Sequence, residues 1–148
     1  MLLIGFPASG KSSFYESHLS AYPRISKDLI KNNRRKDRRQ KKLLEEAFER
    51  GESGIVLDNT HPSKATREPW IQWAKERNLK VVGFYLSASV EECKERNARR
   101  DPECHVPDVG FFSILRDLER PSLNEGFDEL YFVKSEGGNT EIEEWREE

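Results

Sequence analysis

Short apolar runs alternate with longer helical patterns along this chain. The runs 1–4, 22–26, 55–58, 81–86 and 130–133 are typical of strands. Helical patterns lie between them, over 12–19, about 29–49, 63–77, 89–100 and from 107 to before Pro121. Strands that alternate with helices predict an α/β fold, here a five-stranded parallel sheet flanked by helices, with ligands at the carboxyl ends of the strands.

The predicted topology brings four segments to that edge of the sheet. They are 5–12, 26–28, 58–60 and the residues that follow 86. Asp28 and Asp58 each lie where an apolar run ends. Both carboxylates are therefore candidates for ligand chemistry.

The segment after the first strand has a phosphate-binding pattern. Gly5–Ser12 reads G-x-x-x-x-G-K-S and precedes a helical stretch. Backbone N–H groups of such a loop and the positive end of a helix dipole favour phosphate oxygens. Lys11 would reach the outer phosphates and Ser12 would ligate magnesium, so we predict a P-loop NTPase fold that binds a nucleoside triphosphate. The predicted nucleotide contacts in this segment are Gly5, Pro7, Ala8, Ser9, Gly10, Lys11, Ser12 and Ser13.

The two candidate carboxylates suggest different roles. Asp58 ends a buried run, as does a Walker-B acid that holds magnesium, although it is also suited to capping the next turn. Asp28 is suited to accept a proton from an attacking hydroxyl, although an aspartate here can equally cap the following helix. Both alternatives stay open from the residues alone.

Arginines end the fourth predicted helix. Arg96 and Arg100 are four residues apart and share a face, where they would stabilise charge on a transferring phosphoryl group. The alternative is a solvated basic helix end that complements the helix dipole.

Composition limits the class of protein. The chain has 148 residues, the length of one domain, and 35% of them are charged. No apolar run is long enough for a membrane span and no signal-peptide pattern is present. Cys93 and Cys104 have no metal-binding spacing and are expected to be reduced thiols. We expect a protein that is not secreted and is cytoplasmic, or nuclear or in a host cytoplasm if its source is eukaryotic or viral.

The net charge of −2 conceals a strong asymmetry. Residues 27–42 contain nine Lys or Arg against two Asp, which is typical either of a nucleic-acid surface or of a solvated helix face. Residues 135–148 contain six Glu against Arg146. We predict a kinase domain at 1–134 and an acidic tail at 135–148 that is disordered or folds back on the basic stretch.

Taken together, these motifs resemble those of the polynucleotide 5′-hydroxyl kinases, such as the phage enzyme and the kinase domain of polynucleotide kinase/phosphatase. The matching motifs are Gly5–Ser12, Ser26-Lys27-Asp28, Asp58-Asn59-Thr60, Arg96-Asn97-x-x-Arg100, Val106-Pro107 and Glu125-Gly126-Phe127. The resemblance implies ATP and Mg²⁺ as cofactors and a small lid that carries Arg96 and Arg100. It also implies that Asp28 is the general base and that Asp58 supports the metal or the acceptor site.

The resemblance further implies a DNA or RNA 5′-OH end as the acceptor, in nucleic-acid end repair. The implied acceptor residues are Asp28, Lys31, Arg34, Arg35, Asn59 and Thr60, and the basic stretch 31–42 would face the phosphates of the strand. Two positions depart from the family. Ala8 stands where many members have glycine, and Lys31 stands where the phage enzyme has an arginine.

Two other functions remain possible on the sequence. A P-loop kinase for a small-molecule hydroxyl (a nucleoside, a sugar or an antibiotic) would share the phosphate loop, Asp28 and the lid arginines. A nucleotide-dependent switch would hydrolyse ATP without an acceptor. The basic stretch favours the polynucleotide acceptor, because a small acceptor does not need it.

Overall fold

A computed structural model of the chain describes residues 1–6, 8–26, 36–99, 106–136 and 139–146. They form one six-stranded sheet in the order β2-β3-β1-β4-β5-β6. The strands are β1 (Leu2–Ile4), β2 (Arg24–Ile25), β3 (Val56–Asp58), β4 (Val82–Ser87), β5 (Glu129–Glu136) and β6 (Asn139–Glu144). The first five strands are parallel, as predicted, and β6 pairs antiparallel with β5.

Helices follow the strands in the predicted order. They are α1 (Lys11–Phe14), α2 (Lys36–Glu49), α3 (Lys64–Glu76), α4 (Val90–Ala98) and α5 (Asp108–Asp117). Beyond α1 the helix continues with π-helical spacing over Tyr15–Leu19, and a 3₁₀ turn spans Leu123–Glu125. Ser63 and Ser89 cap α3 and α4 by accepting hydrogen bonds from backbone N–H groups. The part of the second predicted helix before residue 36 lies outside the described residues.

Side chains that alternate along the strands pack into two hydrophobic cores, one on each face of the sheet. Leu2, Ile4 and Leu57 pack on one face of the sheet with residues of α2 and α3. Leu3 and Val56 pack on the other face with Phe14 of α1. This alternation fixes the register of the strands, so the segments that leave them meet at the same edge. No helix among the described residues is long and apolar enough to cross a membrane.

The acidic tail is the main correction to the sequence-based expectation. Residues 139–144 are neither disordered nor folded back on the basic stretch but form β6, with Glu141 opposite Lys134. Trp145 is buried against Tyr85 and Phe132. Charged residues are well suited to an edge strand, where they discourage pairing with other chains. The division of the chain at residue 134 stays a prediction, although β5 crosses that position.

Candidate active site

The phosphate loop leaves β1 and is joined to the end of β3. The backbone N–H of Gly5 donates to the carbonyl oxygen of Thr60 at 3.0 Å. Gly10 has a φ of +102°, in the region that favours glycine, and Lys11 begins α1 directly after it. Ala8 has a φ of +63°, which explains why glycine suits this position better. The sequence thus forms the strand, loop and helix start that a phosphate site requires.

Two polar side chains of the loop, Lys11 and Ser9, differ in their hydrogen bonds. The Lys11 ammonium donates to the carbonyl oxygens of Gly5 at 3.1 Å and Phe6 at 2.8 Å. The Ser9 hydroxyl is buried and has no hydrogen-bond partner within the described residues. A buried hydroxyl without a partner is uncommon in proteins and costs stability.

Arg96 approaches the phosphate loop from α4. Its Nη1 donates to the carbonyl oxygen of Ala8 at 3.4 Å. Arg99, on the same helix, instead pairs with the exposed Glu95. Of these two arginines, only Arg96 therefore contacts the phosphate loop within the described residues.

Asn97 connects the end of α4 to Val106. Its side chain is buried, donates to the carbonyl oxygen of Val106 at 2.7 Å and accepts from the N–H of Val106 at 2.9 Å. One turn before Asn97 on α4, Cys93 packs against Phe6 and Phe111. Burial raises the pKa of the Cys93 thiol, so this cysteine is a packing residue rather than a reactive one.

Asp58–Thr60 lies beside the phosphate loop at the end of β3. The Asp58 carboxylate is 6% exposed, and its Oδ2 lies 3.7 Å from Nη1 of Arg24 in β2. The Arg24 guanidinium also covers the ring of Tyr15 at 5.0 Å. Asn59 donates through Nδ2 to the Oε1 of Gln40 at 2.6 Å, which connects the turn to α2.

Arg67 holds the chain just beyond this turn. Its fully buried guanidinium donates to both carboxylate oxygens of Glu125, at 2.8 and 3.3 Å. It also donates to the carbonyl oxygens of His61, Pro62 and Glu119. Because all these groups are protein atoms, Arg67 has a structural role and fixes the path of the chain after Thr60.

The family of the chain follows from its match to known sequences. The model of a family described as AAA domain matches residues 1–121. The chain belongs to this AAA domain family.

Individual relatives agree with the resemblance that the motifs predict. A bifunctional polynucleotide phosphatase/kinase of Schizosaccharomyces pombe is 30% identical over 134 residues, which are 86% of this chain and 31% of the relative. A putative bifunctional polynucleotide phosphatase/kinase of Acanthamoeba polyphaga mimivirus is 28% identical over 151 residues, 91% of this chain and 34% of the relative. The predicted resemblance to polynucleotide kinases is thus confirmed. This member of the AAA domain family spans about a third of the length of these relatives.

A solved structure confirms the fold. A fungal RNA kinase is similar with a TM-score of 0.67 and 16% identity, over 90% of this chain and 37% of that protein. The predicted P-loop NTPase fold is therefore confirmed, with a mixed sheet of six strands in place of five.

One cavity brings together most of the predicted site residues of this AAA domain chain. Its walls include Ala8, Gly10, Lys11, Ser12, Ser13, Asp58, Asn59, Thr60 and Arg96. Gly5 and Ser9 lie in the loop behind them. Pro7, Asp28, Lys31, Arg34, Arg35 and Arg100 lie outside the described residues. Among the described cations of the basic stretch, Arg38 and Lys41 of α2 line the cavity, whereas Arg39 and Lys42 do not.

The residues around the loop fit a magnesium ion that is carried by a nucleotide. Ser12 and Asp58 both line the cavity, and their side chains offer the hard oxygen atoms that Mg²⁺ prefers. Within the described part of the chain, no three His, Cys, Asp or Glu side chains cluster as a metal site. A magnesium ion here would therefore depend on the phosphates for its other ligands, as is usual in phosphoryl-transfer enzymes.

Sequence reasoning missed three supporting residues. Arg24 and Gln40 contact residues that are far away in the sequence, and neither belongs to a local motif. Asn97 contacts Val106, nine positions away, and carried a signal, since it follows Arg96 in one of the matching motifs. Gln40 offered a weaker one, because it is a polar residue four positions before Leu44 on the buried face of α2.

Proposed function

We propose that this protein is a polynucleotide 5′-hydroxyl kinase, which transfers the γ-phosphate of ATP to the 5′-OH end of DNA or RNA. The observation that carries the proposal is the approach of Arg96 to the phosphate loop, within a cavity that also contains Asp58–Thr60. The two relatives that carry the polynucleotide kinase name support a phosphotransferase that depends on ATP. Their names also support a polynucleotide as the acceptor, and we propose nucleic-acid end repair as the process.

On the donor side, the loop from Gly5 to Ser13 would bind the phosphates through its N–H groups. Lys11 would exchange the carbonyl oxygens of Gly5 and Phe6 for the outer phosphates. Arg96 and Arg100 would stabilise the charge on the transferring group. Ser12 and Asp58 would hold the magnesium ion, which neutralises phosphate charge when it is bound.

On the acceptor side, Asp28 would be the general base. It would take the proton of the 5′-hydroxyl while that oxygen bonds to the γ-phosphorus and the bond from this phosphorus to the β–γ bridging oxygen breaks, leaving ADP. Asn59 and Thr60 line the cavity and would contact the acceptor. Lys31, Arg34 and Arg35 would contact its phosphates. A lysine at 31 keeps the charge of an arginine but loses its bidentate geometry.

The test is transfer of labelled γ-phosphate from ATP and Mg²⁺ to 5′-OH oligonucleotides of DNA and of RNA. We expect label on at least one of them, and a loss of at least about 100-fold for Lys11→Ala and for Asp28→Ala. Asp117→Ala, an exposed aspartate of α5 paired with Arg116, is the matched control and should retain activity. A protein that binds ATP and labels neither oligonucleotide would contradict the proposal. Small hydroxyl compounds, tested in the same assay, would then reveal a small-molecule kinase.

A further inference from the structure

The cavity continues beyond the phosphate loop into the space between α2 and α3. We call this part the interhelical groove and define it by Arg38 and Lys41 of α2 and Thr66, Trp70 and Trp73 of α3. The whole cavity measures about 1390 Å³. Since a pocket for one small ligand is usually about 300–1,000 Å³, there is room for more than the nucleotide.

Two cations of α2 face the groove. Arg38 and Lys41 are three residues apart, share a helix face and are exposed. Arg39 and Lys42, each one position further along, are equally exposed but do not line the cavity. Of these four cations of α2, only Arg38 and Lys41 therefore contribute positive charge to the wall of the groove. The negative charge in the groove wall is Glu76, which lies beside Arg77.

The opposite wall is aromatic. Trp73 is 7% exposed, and its Nε1–H has no hydrogen-bond partner within the described residues. The Arg77 guanidinium lies 4.2 Å from the centre of the Trp73 ring and Phe48 contacts the same ring edge-on, so Trp73 is fixed. Trp70 is only partly buried against the core, and no ring or cation of the described residues is stacked on it.

A hydrogen bond connects the groove to the reaction centre. Gln40 lies on α2 between Arg38 and Lys41, is fully buried and accepts from Asn59 at 2.6 Å. Its Nε2 has no hydrogen-bond partner within the described residues. The distance from the groove to Asp58–Thr60 is thus set by a buried side chain rather than by exposed ones.

We propose that the interhelical groove binds the acceptor as a single strand of nucleic acid. Backbone phosphates contact Arg38 and Lys41, and a base stacks on Trp70, because a positive groove with an aromatic wall suits single strands of any sequence. This inference rests on the proposed function and adds to it that a strand is preferred to a mononucleotide and to a paired end.

Binding without ATP tests the groove independently of catalysis. The probes are an oligothymidylate and an oligouridylate of about ten nucleotides, each with a 5′-OH and a 3′ fluorophore, and the readout is fluorescence anisotropy over a range of salt concentrations. The double variants Arg38→Ala/Lys41→Ala and Arg39→Ala/Lys42→Ala lose the same charge from the same helix. We expect the first to weaken binding at least about tenfold and to lower the slope of log K against log salt by about 1.4, the value for two phosphate contacts on a single strand. The second should change Kd less than about twofold.

The stacking contact is tested with Trp70. Trp70→Ala should weaken binding by about 5- to 150-fold, the range for a stacked base, while Trp70→Phe retains a ring and most of the affinity. Equal losses of affinity for the two double variants, or no loss for Trp70→Ala, would overturn the proposal that the groove binds the strand. The proposed polynucleotide kinase activity would not be contradicted by that result. A wild-type protein that binds neither probe and labels neither oligonucleotide would overturn the proposed function itself.

Discussion

Two arginine–carboxylate pairs lie at and just beyond the turn at Asp58–Thr60, and they differ in the length of the contact and in the exposure of the arginine. The Arg67–Glu125 pair is buried, and its shortest contact is 2.8 Å. The Arg24–Asp58 pair is 3.7 Å apart, and the Arg24 side chain is 20% exposed. Both pairs consist of the same chemical groups, so their different environments account for the difference between them.

This difference suggests that the Arg67–Glu125 pair stabilises the fold, whereas the Arg24–Asp58 pair belongs to the candidate active site. Each guanidinium nitrogen of Arg67 donates to an oxygen of the protein, and Glu125 also accepts from the N–H of Ser122. Such a pair is costly to break because either partner alone would be a buried charge. The Arg24–Asp58 contact is long, and Asp58 lines the cavity, so we expect this contact to contribute less to stability than the Arg67–Glu125 pair. The turn is thus fixed on the Arg67 side and adaptable on the Arg24 side.

Breaking the buried pair should have the largest effect. Arg67→Met leaves Glu125 uncompensated, and we expect the free energy of unfolding to fall by about 3–5 kcal/mol. Chemical denaturation with urea measures this loss, which is a large part of the total stability of a domain.

A second substitution identifies the cause of that loss. The double variant Arg67→Met/Glu125→Leu removes both charges, so it should recover at least about half of the lost stability. A single variant within about 1 kcal/mol of wild type would show that the pair does not hold the scaffold.

The opposite outcome is expected at the other pair. Asp58→Asn keeps the shape of the side chain but removes the charge, so phosphoryl transfer should fall about 100-fold or more, while unfolding changes by less than about 1 kcal/mol. The rate of phosphoryl transfer is measured over a range of Mg²⁺ concentrations, with Asp117→Asn as the surface control. Chemical denaturation measures the change in the free energy of unfolding. A variant that is strongly destabilised yet active would make Asp58 a scaffold residue like Glu125.

The two pairs also show what can be predicted from a sequence. Asp58 was predicted because it follows an apolar run, and parallel strands bring such positions to the ligand edge. The Arg67–Glu125 pair joins residues 58 positions apart, and no local pattern indicates it. The weak signals were that Glu125 belongs to a matching motif and that Arg67 precedes Ile71 by four residues, on the face of α3 that enters the core.

The acidic tail shows the limit of charge patterns. The excess of glutamate in 135–148 predicted a tail that is either disordered or folded back on the basic stretch. A strand added to an existing sheet needs only backbone hydrogen bonds and one anchor, and here Trp145 provides that anchor. The Arg120 guanidinium covers the Trp145 ring at 4.3 Å, another contact that lies far apart in the sequence.

A smaller effect is expected when Arg24 is replaced. Arg24→Met removes a positive charge beside Asp58, so the Mg²⁺ concentration for half-maximal transfer should fall by about 3- to 10-fold. Unfolding should change by only about 1 kcal/mol, since the ion pair is long and the contact with Tyr15 is partly exposed. Arg24→Lys keeps the charge and should retain the wild-type magnesium dependence. A rise in the magnesium requirement would mean that Arg24 positions Asp58 rather than competing for it.

The smallest effect is expected at Ala8, on the phosphate loop. Ala8→Gly relieves a positive φ that costs about 1–2 kcal/mol for a residue with a side chain, but it also adds about 0.5–1 kcal/mol of backbone entropy to the unfolded chain. These two effects nearly cancel, so unfolding should become more difficult by less than about 1 kcal/mol. Gly10→Ala is the reverse test, because it places a side chain at a φ of +102° and should destabilise the protein and weaken nucleotide binding. If Ala8→Gly instead weakened nucleotide binding, the methyl group of Ala8 would itself contact the nucleotide, and the departure of this chain from the family pattern would be a functional one.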